Sequence, residues 1–480
     1  MKKTFLTFLW LIAIPFFTNA QVTLPKVIGD NMVLQQGKEV KIWGKAAPNE
    51  KITVKFQRQV KKTTADSNGD WIIELDKLKA TPKPQTMTIK GKNDNIRLHN
   101  ILIGEVWLAS GQSNMEYSMN NHPKYAKPHK GNPERLKEEF KQANSPLIRV
   151  MHIKKDLKSD TLPSTGWQIL NESALAPVSA AGYFFAKKLT EELNVPVGII
   201  SSSWGGTRIE TWTPEEGYAQ SSQFREKLTN HKIDNHKVGE RYEKMIAPLA
   251  PYTLRGFLWY QGESNLIDNG PSDNYVEKKR VLIESWRTAW NDQELPFYYV
   301  QLAPYTYSTR RNDYVANAWD ALPIFWEKQT ACLNIPHTGM IVTTDLVDNA
   351  KDIHPSYKWI VGERLALLAL AKSYGKDTLE YSGPTYQRME TKGNQVTLYF
   401  DHAKKGLSTR DGKSPDWFMV KTNNGRFSKP QSATIKENTV ILTHDKLASP
   451  AAVRFAWDEI AMPNLTNKEG LPAVPFRVEN

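Results

Sequence analysis

Residues 101–115 read ILIGEVWLASGQSNM, and the rest of the chain is organised around this stretch. A mostly apolar run rich in β-forming residues predicts a buried strand that ends at Ser110-Gly111. Ser113 follows on the turn. A serine just beyond the end of a parallel strand lies at the crevice edge of an α/β sheet, where ligands bind. Ser113 is therefore a candidate nucleophile, although an ordinary polar turn would have the same composition.

The segments on either side of this strand predict the fold class. Four more apolar runs predict strands at 195–200, 255–260, 296–302 and 339–346, and helical patterns predict helices at 180–193, 274–290, 312–333 and 357–373. This alternation predicts an α/β domain over residues 101–374, with a parallel sheet in three α/β/α layers. Because the carboxyl ends of parallel strands meet at one edge, polar motifs at those ends are expected to lie together.

The remaining chain divides into three parts. Residues 1–20 combine two lysines, an apolar run and small residues before Gln21, which predicts a signal peptide and an exported protein, periplasmic or secreted. Residues 21–100 contain short β-rich runs between turn signals and predict a small β-sandwich. Residues 375–480 predict a second all-β unit. Past residue 20, no apolar run is long enough to predict a membrane span.

Composition narrows the possible partners. The formal net charge is +12, but the basic residues are scattered, so the chain does not resemble a nucleic-acid-binding protein. A basic surface would still favour anionic glycans. The single cysteine, Cys332, excludes an intrachain disulfide and is interpreted as a buried packing residue.

Three further strand ends carry the groups that a serine nucleophile needs for acyl transfer. His354 is the candidate base, and Asp352 could fix its tautomer. The backbone amides of Ser113 and of Gly205 or Gly206, together with the Asn265 side chain, are candidate oxyanion donors.

Other interpretations of these residues stay open. Asp348 rivals Asp352 as the carboxylate, and Asp345, Asp348, Asp352 and His354 together could hold a divalent cation. His354, which precedes a proline, could simply pack the last helix. Glu263 could position a loop or act as a general acid. Residues 111–115 lack the second glycine of a G-x-S-x-G nucleophile elbow, which argues against an α/β-hydrolase.

At these residues the chain resembles the SGNH hydrolases, and among them the sialate O-acetylesterase family. The motifs that carry the resemblance are DNMVLQ at 30–35, GEVWLASGQSNM at 104–115, SSWGGTRIETW at 202–212, WYQGESN at 259–265, DIHP at 352–355 and NLTNKEGLPAVPFR at 464–477. The family pattern implies Ser113 as nucleophile, one of the glycines Gly205-Gly206 and Asn265 as oxyanion donors, and Asp352 with His354 as the rest of the triad. Many SGNH enzymes carry the acid three residues before the histidine, where this chain has Lys351.

The resemblance implies an esterase that removes O-acetyl groups from sialic acids, of the 9-O-acetyl type, through an acetyl-enzyme and without a cofactor. A sialic acid carries a carboxylate, so Arg208, or else Arg310 or Arg311, is a candidate bidentate clamp. An ion pair of Arg208 with Glu210 or Glu263 is the alternative. Gln112 and Glu263 are further candidate substrate-binding residues.

Two other functions compete with this one. One is an acetylesterase of plant polysaccharides such as xylan or pectin. The other is a glycan-binding protein in which the β units bind the sugar and the α/β domain is inactive.

Overall fold

The computed structural model of the chain describes residues 21–120, 128–225, 231–233, 235–311, 313–449 and 451–479. The predicted signal peptide at 1–20 lies outside the described residues. Within these ranges, no helix has the length and apolar character needed to cross a bilayer.

Some strands form one large central sheet, and the others come before or after it in the chain. In chain order they are β1 Val33–Gln35, β2 Val40–Lys45, β3 Lys51–Phe56, β4 Gln59–Thr64, β5 Asp70–Leu75, β6 Thr81–Lys90, β7 Asn95–Gly111, β8 Ser145–His152, β9 Gln168–Leu170, β10 Val197–Ser203, β11 Lys232–Ile233, β12 His236–Lys237, β13 Gly256–Tyr260, β14 Phe297–Val300, β15 Thr338–Ile341, β16 Thr385–Lys392, β17 Gln395–Asp401, β18 Leu407–Thr409, β19 Phe418–Lys421, β20 Phe427–Ser428, β21 Ser432–Lys436, β22 Thr439–Thr443, β23 Ala452–Phe455, β24 Leu465–Asn467 and β25 Phe476–Glu479.

The helices lie mainly between the strands of the central sheet. The α-helices are α1 Ser113–Glu116, α2 Arg135–Lys141, α3 Glu172–Leu175, α4 Ala180–Leu193, α5 Glu215–Gln220, α6 Glu263–Asn269, α7 Tyr275–Trp290, α8 Ala321–Ala331 and α9 Lys358–Ser373. Shorter 3-10 turns occupy Ile209–Trp212, Ala247–Leu249, Tyr307–Thr309 and Cys332–Asn334, and one π-helical turn spans Tyr242–Ile246.

The central sheet has the order β15-β14-β13-β7-β10-β8-β9. All neighbours are parallel except β8 and β9, and β7 lies in the middle, paired with β10 and β13. From Ile101 to Gly111 every residue of β7 is buried, because helices cover both faces of a parallel sheet. The predicted α/β fold with a parallel central sheet and flanking β units is confirmed.

Aromatic side chains fill the two layers between the sheet and its helices. Trp107 on β7 meets Phe185 of α4 with ring centroids 5.1 Å apart. Phe257 and Trp259, two residues apart on β13, both meet Trp286 of α7, at 5.3 and 5.7 Å. Residues two apart on a strand face the same side, so α7 covers one face of the sheet and α4 the other.

The N-terminal unit is joined to the central sheet through β7 itself. This strand runs without a break through the predicted boundary at residue 100, and its first half pairs antiparallel with β6 while β1 runs parallel to its middle. Beyond α9 the chain forms the C-terminal β unit, whose two main sheets have the orders β16-β17-β22-β21 and β20-β19-β23-β25.

One predicted helix begins later than the sequence pattern indicates. The prediction was 312–333, but α8 spans only Ala321–Ala331. The preceding residues turn back on the loop after β14 instead, where the Asn317 amide donates to the Ser308 carbonyl at 3.0 Å and Asn317 has a positive φ of 60°. This segment therefore forms a loop at the carboxyl edge of the sheet.

Candidate active site

Ser113 begins α1 directly beyond the end of β7 and is partly exposed. The strand can end this tightly because Gly111 has a φ of +140°, and a Cβ at this position would lie 2.2 Å from the Tyr260 carbonyl oxygen. The neighbouring Gln112 is buried, and its Oε1 accepts from the amides of Gly262 and Ser264 at 3.2 and 3.3 Å. Gln112 thus ties the serine turn to the turn after β13, and this acceptor oxygen faces the protein.

The turn after β10 brings a glycine against Ser113. A Cβ on Gly205 would lie 3.2 Å from the Ser113 Cβ, whereas one on Gly206 would meet nothing within 4 Å. Of the two glycines, Gly205 is therefore the one beside the serine. Its N–H donates to the carboxylate of Glu116, which also accepts from Lys155.

The backbone amides of Ser113 and Gly205 differ in whether they have a hydrogen-bond acceptor. Among the described residues, no acceptor takes the N–H of Ser113, which begins a helix and so has no partner within it. The Gly205 N–H has the Glu116 carboxylate as its acceptor. An oxyanion between the two amides would have to displace that carboxylate.

The side chain of Asn265 is placed differently from its predicted role. Its Nδ2 donates to Glu210 at 2.9 Å and to Asp273 at 3.1 Å, and its Oδ1 accepts from the Ile209 amide at 2.9 Å. Asn265 is fully buried, so both amide hydrogens are engaged inside the protein. In this arrangement both amide hydrogens of Asn265 bind buried carboxylates, and its role as an oxyanion donor stays a prediction.

His354 lies on the loop between β15 and α9 and is partly exposed. Asp352 accepts from the His354 backbone amide at 2.9 Å, which shapes the turn of this loop. Burial lowers the pKa of His354 below its ordinary 6.5; Lys358 and Arg310 lower it further, while Asp352 and Glu116 raise it. A pKa lowered in this way favours the neutral imidazole that a general base needs at neutral pH.

Asn114 connects the serine turn to the histidine loop. Its Nδ2 donates to Glu263 at 2.6 Å and to the Ile353 carbonyl at 3.0 Å, and its Oδ1 accepts from Lys358 at 2.9 Å. Glu263 and Lys358 are both buried. Burial raises the pKa of Glu263 and lowers the pKa of Lys358 to about 7. The Asn114 amide is therefore hydrogen-bonded to two buried ionisable groups, Glu263 on one side and Lys358 on the other.

Arg208 lies near the end of α6. Its guanidinium donates to Asn269 at 3.0 Å and stands 4.0 Å from the Asp268 carboxylate. Glu210, one of the two alternative partners of Arg208, pairs with Lys278 at 2.8 Å.

Arg310 and Arg311 follow the 3-10 turn after β14. Arg310 is partly buried and lies over the Tyr305 ring at 5.2 Å, while Arg311 is exposed. The charge of Arg310 reaches His354 and contributes to the lowering of its pKa. Of the three candidate clamp arginines, Arg310 is thus the one whose charge lowers the pKa of the candidate base.

The residues considered for a cation site have other partners. Asp345 forms a bidentate ion pair with Arg364 at 2.8 and 2.6 Å, and Asp348 accepts from the Tyr357 hydroxyl at 2.7 Å. In the part of the chain that the structure describes, no three His, Cys, Asp or Glu side chains come together as metal ligands. Cys332 is buried, and its thiol donates to the Lys328 carbonyl at 3.2 Å.

Three functional candidates were missed by the sequence reasoning: Asn114, Glu116 and Lys358. Asn114 and Glu116 lie in or beside the serine motif, so their position was a usable signal. Lys358 carries no such signal, because a lysine in the first turn of a helix is ordinarily solvated.

Comparisons with known proteins agree on one family. The profile described as "Carbohydrate esterase, sialic acid-specific acetylesterase" matches residues 103–370. The chain is 28% identical to a sialate O-acetylesterase from Pongo abelii and 27% identical to one from Homo sapiens, in each case over 94% of this chain and 91% of the relative. It is 32% identical to a carbohydrate acetylesterase from Xanthomonas citri of known crystal structure, with a TM-score of 0.83, covering 96% of this chain and 100% of that one.

Proposed function

Because the chain belongs to the carbohydrate esterase family of sialic acid-specific acetylesterases and is a carboxylic ester hydrolase, we propose that it hydrolyses O-acetyl esters of sialic acids with Ser113 as nucleophile. The family membership argues against a purely glycan-binding protein. We extend the proposal to 9-O-acetyl groups and to an exported protein, the latter on the signal-like residues 1–20.

The reaction we propose has two steps. The Ser113 Oγ attacks the acetyl carbonyl carbon while His354 takes the serine proton, and the resulting tetrahedral intermediate carries an oxyanion. Its collapse breaks the bond to the sugar oxygen, which leaves with the proton from His354. Water then attacks the acetyl-enzyme while the same imidazole takes a proton from it. The bond to the Ser113 Oγ breaks, the imidazole returns the proton to this oxygen, and acetate is released.

The oxyanion would be held by backbone amides. The N–H of Ser113 and the N–H of Gly205 are the candidates, since Gly205 lies against Ser113 and the Asn265 amide is engaged elsewhere. This assignment requires the Glu116 carboxylate to leave the Gly205 amide when substrate binds.

A single observation carries the proposal: Asn114, the residue after Ser113, donates to the carbonyl of Ile353, the residue before His354. This bond supports the nucleophile and the base acting in one site. Asp352 shapes the histidine loop through the backbone, and its charge favours the imidazolium that forms during attack.

The sialic acid carboxylate needs a cation at this edge of the sheet. We propose Arg310 for this contact, because its charge reaches His354 and its guanidinium is partly buried over Tyr305. Arg208 is the second candidate, although Asn269 and Asp268 already occupy part of its guanidinium.

The test is acetate release from a defined 9-O-acetyl sialic acid by the wild-type protein and by Ser113→Ala. We expect turnover by the wild type, unchanged by a chelator, and a loss of roughly 10⁴-fold or more in the variant. Acetylated xylan is the comparison substrate. Activity on xylan alone would reject the sialate substrate, and full activity of Ser113→Ala would reject the serine mechanism.

A further inference from the structure

A cleft of about 900 Å³ opens between the C-terminal β unit and the loop that precedes α8. We call it the aromatic cleft and define it by Trp319, Trp417, Phe427, Lys429, Arg454 and Trp457. Trp319 comes from the catalytic domain, and the other five residues come from the C-terminal unit. The cleft is therefore built by both units and lies outside the serine site.

The lining combines aromatic faces with charged and amide groups. The Arg454 guanidinium lies 4.0 Å from the Phe427 ring centroid and 5.7 Å from that of Trp457, and 48% of the Trp319 surface is exposed. A pyranose ring has an apolar C–H face and a rim of hydroxyl groups. Aromatic rings can pack against the C–H face, and polar side chains can hydrogen-bond the hydroxyl groups. Ligand sites commonly combine aromatic surface with a few polar groups in this way.

The cleft carries two cations, Lys429 and Arg454, and two carboxylates, Asp416 and Asp458. Each carboxylate already accepts from a backbone amide, that of Asn464 or Ile460, so the two cations are the groups that would meet an acidic sugar. Lys429 is exposed, and among the described residues the Arg454 Nε has no acceptor, while its terminal nitrogen reaches Glu479 only at 3.5 Å. A sialylated glycan carries one carboxylate for each sialic acid. The formal net charge of +12, of which Lys2 and Lys3 supply two, adds a favourable long-range attraction for such a chain.

One residue, Glu459, connects the cleft to the loop after β14. Glu459, two positions after Trp457, accepts from the Ser308 amide at 2.8 Å, and its backbone accepts from Tyr305 at 2.9 Å and donates to the Trp319 carbonyl at 3.2 Å. The loop held in this way also carries Arg310, whose charge reaches His354. Glu459 thus binds this loop at Tyr305 and Ser308, close in sequence to Arg310, and again at Trp319 in the cleft.

We propose that the aromatic cleft binds the non-acetylated part of the sialylated glycan whose terminal sugar is deacetylated at Ser113. The inference rests on the proposed function and adds a binding site for the remainder of the substrate. It predicts that a glycan chain binds more tightly than the free monosaccharide, and that the difference depends on Trp319.

The experiment compares Trp319→Ala with wild type on O-acetylated mucin, on free O-acetyl sialic acid and on an aryl acetate. We expect KM for mucin to rise about threefold to tenfold with kcat unchanged, and no change on the two small substrates. The side chain is half exposed and its carbonyl bond to Glu459 is retained, so the fold should persist. Tyr314→Ala is the control, because Tyr314 is 59% exposed on the same loop but outside the cleft.

A second variant tests the charge without relying on turnover. Lys429→Glu should weaken direct binding of de-O-acetylated sialylated mucin, and Lys404→Glu, at another exposed lysine of the same unit, should not. Unchanged mucin kinetics in Trp319→Ala, an equal change on the free sugar, or binding that survives removal of the sialic acids would overturn the inference. Failure of the wild type to deacetylate any sialic acid would instead reject the proposed function, since the binding measurement needs no turnover.

Discussion

The Asn114 side chain stands 3.0 Å from the carbonyl oxygen of Ile353, so the neighbours of the candidate nucleophile and the candidate base are joined by one hydrogen bond. The same amide donates to Glu263 and accepts from Lys358. Two loops that are distant in sequence are thus held in register by a residue that need not touch the substrate.

Replacing Asn114 by alanine should damage catalysis more than binding. Loss of the amide leaves Glu263 and Lys358 buried without this partner, which should cost about 1–3 kcal/mol of unfolding free energy. Misplacement of the two loops should lower kcat by roughly 10²-fold, with a smaller change in KM. Steady-state kinetics on an aryl acetate and denaturant unfolding measure both effects.

Asn467→Ala is the matched control for this variant. Asn467 is also fully buried, and its amide donates to the carbonyls of Ser382 and His402 at 2.9 Å in the C-terminal unit. It should lose comparable stability and keep kcat. If both variants lowered kcat equally, Asn114 would have no specific positioning role.

Glu116 is expected to lower the activity of the wild-type enzyme, because its carboxylate occupies a candidate oxyanion donor. Its carboxylate accepts from the Gly205 amide, so Glu116→Ala should expose that amide to the substrate oxygen. A hydrogen bond is worth about 1 kcal/mol net, so we expect kcat/KM for an aryl acetate to rise by roughly threefold to tenfold. Glu192→Ala, which removes an exposed ion pair with Lys188, should leave kcat/KM unchanged. A fall in kcat/KM for Glu116→Ala would mean that the carboxylate belongs to the competent site.

The acidic limb of the pH profile should respond to two neighbours of His354 in opposite directions. The pKa of His354 lies below 6.5, and the base form is lost as the pH falls through it. Lys358 lowers this pKa, so Lys358→Met should move the limb of kcat/KM to higher pH. Asp352 raises it, so Asp352→Asn should move the limb to lower pH.

Lys351→Met is the control for this pair, because Lys351 is exposed in the same loop and is absent from the groups that shift His354. Its profile should match that of the wild type. Shifts of the same sign in Lys358→Met and Asp352→Asn would show that another group governs the limb.

Local patterns were sufficient to predict most of the central domain. The helix at 180–193 was predicted with its observed bounds. The second half of β7 is buried throughout, so its sequence is mostly apolar and could be recognised as a strand. The loop before α8 could not be predicted in the same way. Its course depends on Glu459, which bonds to Ser308 from 151 positions further along the chain.

In the candidate site, too, some placements could be predicted from local sequence and others depend on the fold. Ser113 and His354 each follow a predicted strand, so strand ends alone indicated that they would lie at one edge. The placement of Asn265 was not predictable, since Glu210 and Asp273 come from separate segments and meet only in the fold. The position of Glu116 beside the serine motif could mark it as a candidate, but its contact with the Gly205 amide after β10 depends on the fold and was not predictable.

The joint between the N-terminal unit and the catalytic sheet provides a test of stability rather than activity. Glu105 on β7 is fully buried and accepts from Arg255 at 2.8 and 3.1 Å, from Gln35 at 2.9 Å, from Gln36 at 2.7 Å and from Tyr374 at 2.9 Å. These donors come from the N-terminal unit, from the residue before β13 and from the residue after α9. Glu105→Gln keeps the volume but leaves Arg255 without its buried counter-charge, which should cost about 3 kcal/mol of unfolding free energy.

Denaturant unfolding of Glu105→Gln measures this loss, and Asp76→Asn, which breaks the more exposed Lys61–Asp76 pair, is the reference for an ion pair of little consequence. The kinetic constants of folded Glu105→Gln should equal those of the wild type, because the joint lies towards the amino end of the strand that carries Ser113 at its carboxyl end. Equal stability of the two variants would show that the buried carboxylate contributes no more than a surface pair, and that the continuity of β7 alone holds the two units together.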